Sequence, residues 1–117
     1  MDFDGVVHKN SKGFFDGTVY DDPVDGIENL LIDLSKKYSL ILFSAKARKD
    51  RMLIEGKTGI ELIWEWLEKY DMKQFVKEVT AEKPRAVFYI DDKAVRFEGN
   101  WDNTFSDLKR YGYIENE

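Results

Sequence analysis

Two short runs of apolar residues, SLILF at 39–43 and AVFYI at 86–90, are continuous rather than alternating. Strands that are buried on both faces of a parallel sheet have this pattern. A further segment, FVKEVT at 75–80, alternates between apolar and polar residues and predicts a shorter strand. The pattern therefore predicts a mostly parallel sheet with 39–43 and 86–90 as its buried strands.

Helical spacing of apolar residues appears between these strands. In DDPVDGIENLLIDLSKKY, Asp22 is the predicted N-cap and Pro23 the first helical residue. One face of this helix then carries the apolar residues Val24, Ile27, Leu30, Leu31 and Leu34. A second helix is predicted over 59–70, and a third, with a weaker pattern, contains Phe105 and Leu108.

The order of these elements predicts the fold class. Strands and helices alternate along the chain, which is typical of a Rossmann-like, three-layer α/β/α fold with helices on both faces of a mostly parallel sheet. A length of 117 residues fits a single domain over 1–117. Ligands in such sheets bind beyond the carboxyl ends of the strands, so the residues after each strand are the candidates for function.

The composition narrows the classes of partner. A formal net charge of −5 disfavours broad attraction to nucleic acid or an anionic membrane, although it leaves room for a local basic pocket. The sequence has no cysteine, which excludes disulfides and thiolate metal sites. No apolar run approaches the roughly 20 residues of a transmembrane helix, and no signal peptide opens the chain. We therefore expect a cytoplasmic protein without a membrane partner.

Polar residues gather at the predicted strand ends. Four separate segments place them there: Asp2, Asp4 and Gly5; Ser44; Lys83; and Asp91 and Asp92. Each segment alone is weak evidence for a site, but their joint occurrence indicates chemistry. In-line attack on a phosphoryl group requires a nucleophile, counter-charges for the phosphate oxygens and a proton donor for the leaving oxygen.

The acidic residues match the first part of this requirement. An aspartate can act as the nucleophile and form an aspartyl-phosphate, and Asp2 is the candidate. A divalent cation would shield the substrate from its charge, and Mg²⁺ prefers oxygen ligands such as Asp2 with Asp91 or Asp92. Asp4 lies two residues beyond Asp2 and is the candidate for proton transfer. Gly5 then allows a sharp turn.

The remaining candidates would hold the substrate. Ser44 and Lys83 are expected to contact phosphate oxygens through hydroxyl, backbone N–H and ammonium groups. Ala45, Lys46 and Arg48 lie on the loop after Ser44 and are candidates for binding phosphate or a second anionic group. A solvated first helical turn is an equally good interpretation of that loop.

At these residues the chain resembles the haloacid dehalogenase (HAD) superfamily of phosphohydrolases. DFDGVV, LILFSAK, EKP and VFYIDD are similar to the four motifs of that superfamily, occur in its order and extend from residue 2 to residue 92. The resemblance implies a single HAD-like domain with a bound Mg²⁺. Val6 stands where the superfamily usually has threonine.

The resemblance also implies a role for each matching residue. Asp2 matches the nucleophile and metal ligand. Asp4 matches the general acid/base, whose backbone carbonyl also binds the metal. Lys83 matches the lysine that steadies nucleophile and phosphate. Asp91 matches a direct metal ligand, and Asp92 binds the metal directly or through water.

The loops leave no room for a cap domain, so the chain resembles the capless members of the superfamily. The stretch GFFDGTVY at 13–20 fits a short hairpin. An uncapped site admits bulky substrates or takes a lid from another subunit, so a homo-oligomer is left open. For His8, the sole histidine, we favour a loop role, and for Trp101 core packing.

Two functions follow from this interpretation. The first is a Mg²⁺-dependent phosphatase that hydrolyses a phosphomonoester through an aspartyl-phosphate, on a phosphorylated small molecule, a nucleotide or a nucleic-acid end. The alternative is a catalytically weak or inactive HAD-like domain that serves as a binding or regulatory module. The enzyme is favoured because every charged position of the four motifs is filled.

The position of Asp2 modifies this expectation. A strand of typical length has about 5–6 residues, but only Met1 precedes Asp2. We therefore expect that several residues of the first strand are absent, because an upstream segment is omitted or because translation starts late. Weak activity of the chain as given is the predicted consequence.

Overall fold

The computed structural model describes residues 1–115. It is a small mixed α/β structure with three helices, α1 (Ile27–Ser35), α2 (Gly59–Lys69) and α3 (Trp101–Arg110). A two-stranded parallel sheet pairs β1 (Ile41–Phe43) with β2 (Glu78–Thr80). Within the described residues, no helix combines the length and apolar character needed to cross a membrane.

The first three residues lie alongside β1. The backbone N–H of Phe43 donates to the Met1 carbonyl at 3.0 Å, and the Phe3 N–H donates to the Phe43 carbonyl at 3.0 Å. On the opposite side, the Asp2 N–H donates to the Ile90 carbonyl at 2.8 Å. Backbone hydrogen bonds therefore hold Asp2 between β1 and the segment that leads into Asp91.

The core combines apolar residues of α1, α2 and β1 with residues of the N-terminal segment and of the loop after α2. The predicted second helix is confirmed as α2, where Thr58 and Glu61 form a reciprocal capping box. The most deeply buried apolar side chains are Phe3, Val7, Leu31, Leu42, Ile63, Leu67 and Met72. Burying one such side chain stabilises the fold by about 1.5–3 kcal/mol, so this cluster fixes the helices on the sheet.

The predicted start of the first helix is wrong. The helix begins at Ile27, with Gly26 as the N-cap at φ 85°, instead of starting at Asp22 and Pro23. Pro23 forms an isolated antiparallel bridge with His8. The backbone there is extended, so it is not helical, and the left-handed Gly26 then redirects the chain.

The predicted buried strand at 86–90 is also wrong. This segment forms no strand, and Val87, Phe88 and Tyr89 are exposed to 85%, 42% and 41%. Within residues 1–115, the bond from Asp2 to Ile90 is its one backbone hydrogen bond to another part of the chain. A buried strand needs cover on both faces, and the apolar pattern alone does not reveal whether neighbouring elements supply it.

Three smaller expectations are corrected or refined. Residues 13–20 form turns rather than a hairpin of strands. The alternating segment 75–80 contains β2, but only Glu78–Thr80 is strand. The third helix is confirmed as α3, yet Trp101 is 67% exposed and does not pack in the core.

Gly59, the first residue of α2, allows the helix to approach the loop after β1. A Cβ atom on Gly59 would lie 1.6 Å from the Lys46 carbonyl oxygen. We predict that Gly59→Ala lowers the free energy of unfolding by about 1–3 kcal/mol through overpacking, whereas the same change in an open helix raises stability. Denaturant unfolding measures the change, with Glu68→Ala on the exposed face of α2 as the control. Equal stability of Gly59→Ala and the unmodified protein would contradict the prediction.

Candidate active site

Three carboxylates meet where the N-terminal segment and the 86–90 segment lie side by side. One side-chain oxygen from each of Asp2, Asp91 and Asp92 lies within 4.8 Å of the others. Asp91 also accepts a hydrogen bond from the Lys93 N–H at 2.8 Å, which turns the chain directly after the acidic pair. The structure thus brings together the three acidic side chains that the sequence proposed as metal ligands.

Gly5 makes room for one of these carboxylates. Its backbone has φ 86°, and a Cβ atom there would lie 2.3 Å from the Asp92 Oδ2 atom. Any other residue would strain the turn and push the Asp92 carboxylate away. Gly5 therefore does more than turn the chain, because it lets Asp92 reach the cluster.

Burial and the neighbouring carboxylates raise the pKa of Asp2. Burial, the hydrogen bond with Asp92 and the charges of Asp91, Asp92 and Asp4 together raise the pKa of Asp2 to about 7. The clustered carboxylates repel one another when all are ionised. A bound proton or a cation would relieve this repulsion.

Asp4 belongs to a second polar group. Its Oδ1 atom accepts hydrogen bonds from His8 Nδ1 at 2.9 Å and from Lys46 Nζ at 3.0 Å. Its Oδ2 atom accepts one from the Ser44 hydroxyl at 2.7 Å. Burial alone would raise the pKa of Asp4, but hydrogen bonds from His8 and Ser44 and the charge of Lys46 hold it below its ordinary value. Asp4 is therefore ionised in this environment.

His8 lies in a loop outside the helices and strands, but its ring is directed into the interior. Its side chain is fully buried, and its ring stacks on Phe3 and meets Trp66 and Tyr20 edge-on. The Asp21 N–H donates to His8 Nε2 at 2.9 Å, so Nε2 is the acceptor. Nδ1 therefore carries the proton that is donated to Asp4.

Lys46 is buried although it follows β1 on a loop. Its side chain is 1% exposed and pairs with Asp4 at 3.0 Å, with a longer hydrogen bond from Nζ to Asn10 Oδ1 at 3.4 Å. The Lys46 N–H donates to the Ser44 hydroxyl at 3.1 Å, so Ser44 caps the short 3-10 turn Ala45–Ala47. The alternative of a solvated first helical turn therefore does not describe Lys46.

Within residues 1–115, the side chains of three other candidates form no hydrogen bond or ion pair with the side chains of either group. The Lys83 ammonium is 4.0 Å from the centroid of the Tyr89 ring and makes no ion pair within residues 1–115. Arg48 is exposed and pairs with Asp50 at 2.6 Å. Ala45 is exposed, and its carbonyl accepts a hydrogen bond from Arg51 at 2.9 Å. Among the described residues, these contacts do not direct Lys83, Arg48 or Ala45 toward the carboxylate cluster.

The comparisons with known proteins contribute no family. Protein-family models, curated proteins and solved structures were compared with this chain, and none of them matches it. A functional assignment therefore depends on the geometry of the two polar groups and on the motifs in the sequence.

The part played by His8 was missed by the sequence reasoning, although a signal for it exists. The N–H groups of Val7 and His8 both donate to the Phe3 carbonyl, and the Gly5 N–H donates to the His8 carbonyl. These bonds close a tight loop that returns His8 to Asp4. The signal in the sequence is Gly5, directly after Asp4, because a glycine there permits the tight turn.

The raised pKa of Asp2 predicts a pH dependence of stability without metal. The pKa rises from 3.8 to about 7 on folding, so in that window the folded state binds a proton that the unfolded state releases. This contribution to the free energy of unfolding is therefore present below pH 4 and is lost as the pH rises to about 7. Asp2→Asn should remove it.

Urea unfolding between pH 4 and pH 8 in chelator measures this effect as the difference between the unmodified protein and Asp2→Asn. Asp33→Asn is the matched control, because Asp33 lies on α1 and is 76% exposed. Parallel pH profiles for the unmodified protein and Asp2→Asn would show that the folded-state pKa is not raised.

The buried pair of Asp4 and Lys46 predicts a large cost for a single substitution. Asp4→Asn leaves the Lys46 ammonium buried without its counter-charge, and we expect a loss of about 2–4 kcal/mol, below the loss for a fully buried pair because Asp4 is 19% exposed. Asp4→Asn combined with Lys46→Met should recover part of this loss. A double-mutant cycle by denaturant unfolding measures the coupling, and strictly additive effects would contradict it.

Proposed function

We propose that this chain is a HAD-like, Mg²⁺-dependent phosphatase that hydrolyses a phosphomonoester through an aspartyl-phosphate on Asp2. The observation that carries the proposal is the convergence of Asp2, Asp91 and Asp92 within 4.8 Å of one another. The finer fold assignment belongs to the same proposal, since the hydrogen bonds of residues 1–3 to β1 and of Asp2 to Ile90 support a wider parallel sheet.

The carboxylate cluster fits the requirements of Mg²⁺. This ion binds oxygen ligands at about 2.0–2.1 Å in octahedral geometry, so its ligand oxygens lie about 3–4 Å apart. The three aspartate oxygens lie within 4.8 Å of one another, so small side-chain rotations would suffice. When bound, the ion would neutralise the clustered charges and reduce the repulsion between Asp2 and a phosphate.

In the proposed reaction, an Asp2 oxygen attacks phosphorus while the bond to the leaving oxygen breaks. Water then cleaves the aspartyl-phosphate, which releases inorganic phosphate and restores the Asp2 carboxylate. The lowered pKa of Asp4 favours its ionised form, which suits a base that accepts a proton from the attacking water. A leaving oxygen of low basicity needs no proton, so we expect aryl phosphates to react faster than alkyl phosphates.

The two lysines have different roles in this proposal. Lys46 and Ser44 already bind Asp4, and so they position the base. Lys83 has no ion-pair partner within residues 1–115, so its ammonium remains available to a substrate phosphate. Ala45 and Arg48 are then left to contact the substrate beyond its phosphate.

A second candidate is a cation-binding module without catalysis. The specific observation in its favour is that Asp4 is saturated by His8, Ser44 and Lys46, and that Lys83 stacks on Tyr89. In this alternative, the three-carboxylate cluster binds Mg²⁺, but no proton transfer or phosphate contact completes an active site.

We predict Mg²⁺-dependent hydrolysis of 4-nitrophenyl phosphate that is lost in chelator and in Asp2→Asn. Asp33→Asn should retain full activity as an exposed aspartate on a different element. Lys83→Ala should lower kcat by about 10²–10³-fold, because one charge contact at the transition state contributes that much. Steady-state kinetics on the purified protein measures all three variants.

Two outcomes would redirect the proposal. Hydrolysis that survives both chelation and Asp2→Asn would exclude Asp2 as the nucleophile. Mg²⁺ binding by calorimetry that depends on Asp2 and Asp91, without turnover of any phosphomonoester, would support the cation-binding module instead.

A further inference from the structure

Helix α3 has an apolar stripe that the rest of the described chain does not bury. Trp101 and Phe105 are 67% and 55% exposed, and the half-buried Leu108 continues the same face at a spacing of three residues. Phe97 packs on Trp101 with ring centroids 4.4 Å apart and is itself 51% exposed. A contiguous stripe of large apolar side chains of this kind marks an interaction surface.

The charges beside this stripe form a self-complementary pattern. Asp102 lies in the first turn of α3 and Lys109 in its last turn. They are seven residues apart, which is only about 20° short of two full helical turns, so both lie on one flank of the stripe. Neither residue makes an ion pair within residues 1–115, whereas Asp107 and Arg110 pair with each other at 3.4 Å.

We propose that α3 binds α3 of a second copy of this chain in an antiparallel, two-fold symmetric pair. In such a pair each flank faces the same flank of the other copy in the reverse direction, so Asp102 lies opposite Lys109 of the second copy. Phe105 lies near the two-fold axis, and Trp101 lies opposite Leu108 of the second copy. A parallel pair would instead place the two flanks that carry Asp102 and Lys109 on opposite sides of the pair, so these charges would not meet.

The same pattern argues against other occupants. An acidic partner would meet Asp102, and a basic partner would meet Lys109, whereas a second copy in antiparallel orientation satisfies both charges at once. A single pair of helices buries less area than a standard protein interface. The dimer is therefore weak, and it dissociates on dilution.

Sedimentation equilibrium of the full chain over a range of concentrations tests the proposal. The unmodified protein should show a concentration-dependent equilibrium between monomer and dimer. Asp102→Lys or Lys109→Asp alone converts both attractive pairs into repulsive pairs, and we expect each to weaken the dimer about tenfold. Asp33→Lys reverses an exposed charge on α1 and should leave the equilibrium unchanged.

Mixing the two single variants provides the decisive measurement. A chain with Asp102→Lys and a chain with Lys109→Asp have complementary flanks, so an equimolar mixture should form a heterodimer as tightly as the unmodified protein dimerises. The double variant D102K/K109D should also dimerise. The mixture and the double variant control for unfavourable interactions of the new charges with the helix dipole. Such interactions are still present in both, so a restored dimer shows that charge pairing between the copies decides the result.

Any one of four results would overturn the proposal. The first is an unmodified protein that is monomeric at every concentration. The second is that the single variants dimerise like the unmodified protein, and the third is that the mixture associates no more tightly than each variant alone. Helix content from circular dichroism is measured in parallel. If a single variant loses α3 and the mixture does not restore the dimer, the proposal also fails.

Discussion

The ion pair between Asp4 and Lys46 holds together the segments that surround the second polar group. It ties the N-terminal turn to the loop after β1, and α2 rests on that loop through the close approach of Gly59 to the Lys46 carbonyl. Removing two charges from water costs several kcal/mol per ion, so such a pair persists only where further hydrogen bonds complete it. Ser44 and His8 supply those bonds. The N-terminal turn, the loop after β1 and α2 are therefore fixed relative to one another.

Two aspartates that are two residues apart have opposite electrostatic environments. Asp4 is surrounded by donors and a cation, and its pKa is lowered, whereas Asp2 is half-buried beside other carboxylates and its pKa is raised to about 7. Pairs of titratable groups whose environments separate their pKa values are typical of acid and base assignments in enzymes. In this chain the pKa values of Asp2 and Asp4 differ because the turn at Gly5 lets Asp92 approach Asp2 and returns His8 to Asp4.

Parts of the structure could be predicted from the sequence because local signals decide them. Thr58 and Glu61 define the start of α2. The positions of Asp2, Asp91 and Asp92 after predicted strands indicate their convergence, although 86–90 forms no strand in the structure. One backbone hydrogen bond, from the Asp2 N–H to the Ile90 carbonyl, joins the N-terminal segment to the 86–90 segment and brings the three carboxylates together.

Other parts depend on tertiary contacts that no local pattern reveals. The start of α1 is displaced because Pro23 pairs with His8, and Lys46 is buried because Asp4 happens to face it. The apolar residues at 86–90 satisfy the pattern of a buried strand, yet nothing in that pattern says whether another element covers them. The same limit applies to Trp101, whose hydrophobicity is equally compatible with a core position and with an exposed helix face.

The Nδ1 proton of His8 is an intrinsic probe of local opening around this buried ring. Its ring is held by the Asp21 N–H on one nitrogen and by Asp4 on the other, and three aromatic side chains surround it. The Nδ1 proton can exchange with solvent only when its hydrogen bond to Asp4 opens, so its exchange rate reports how often that bond opens. One resonance of one side chain thus records this opening, without any label being introduced.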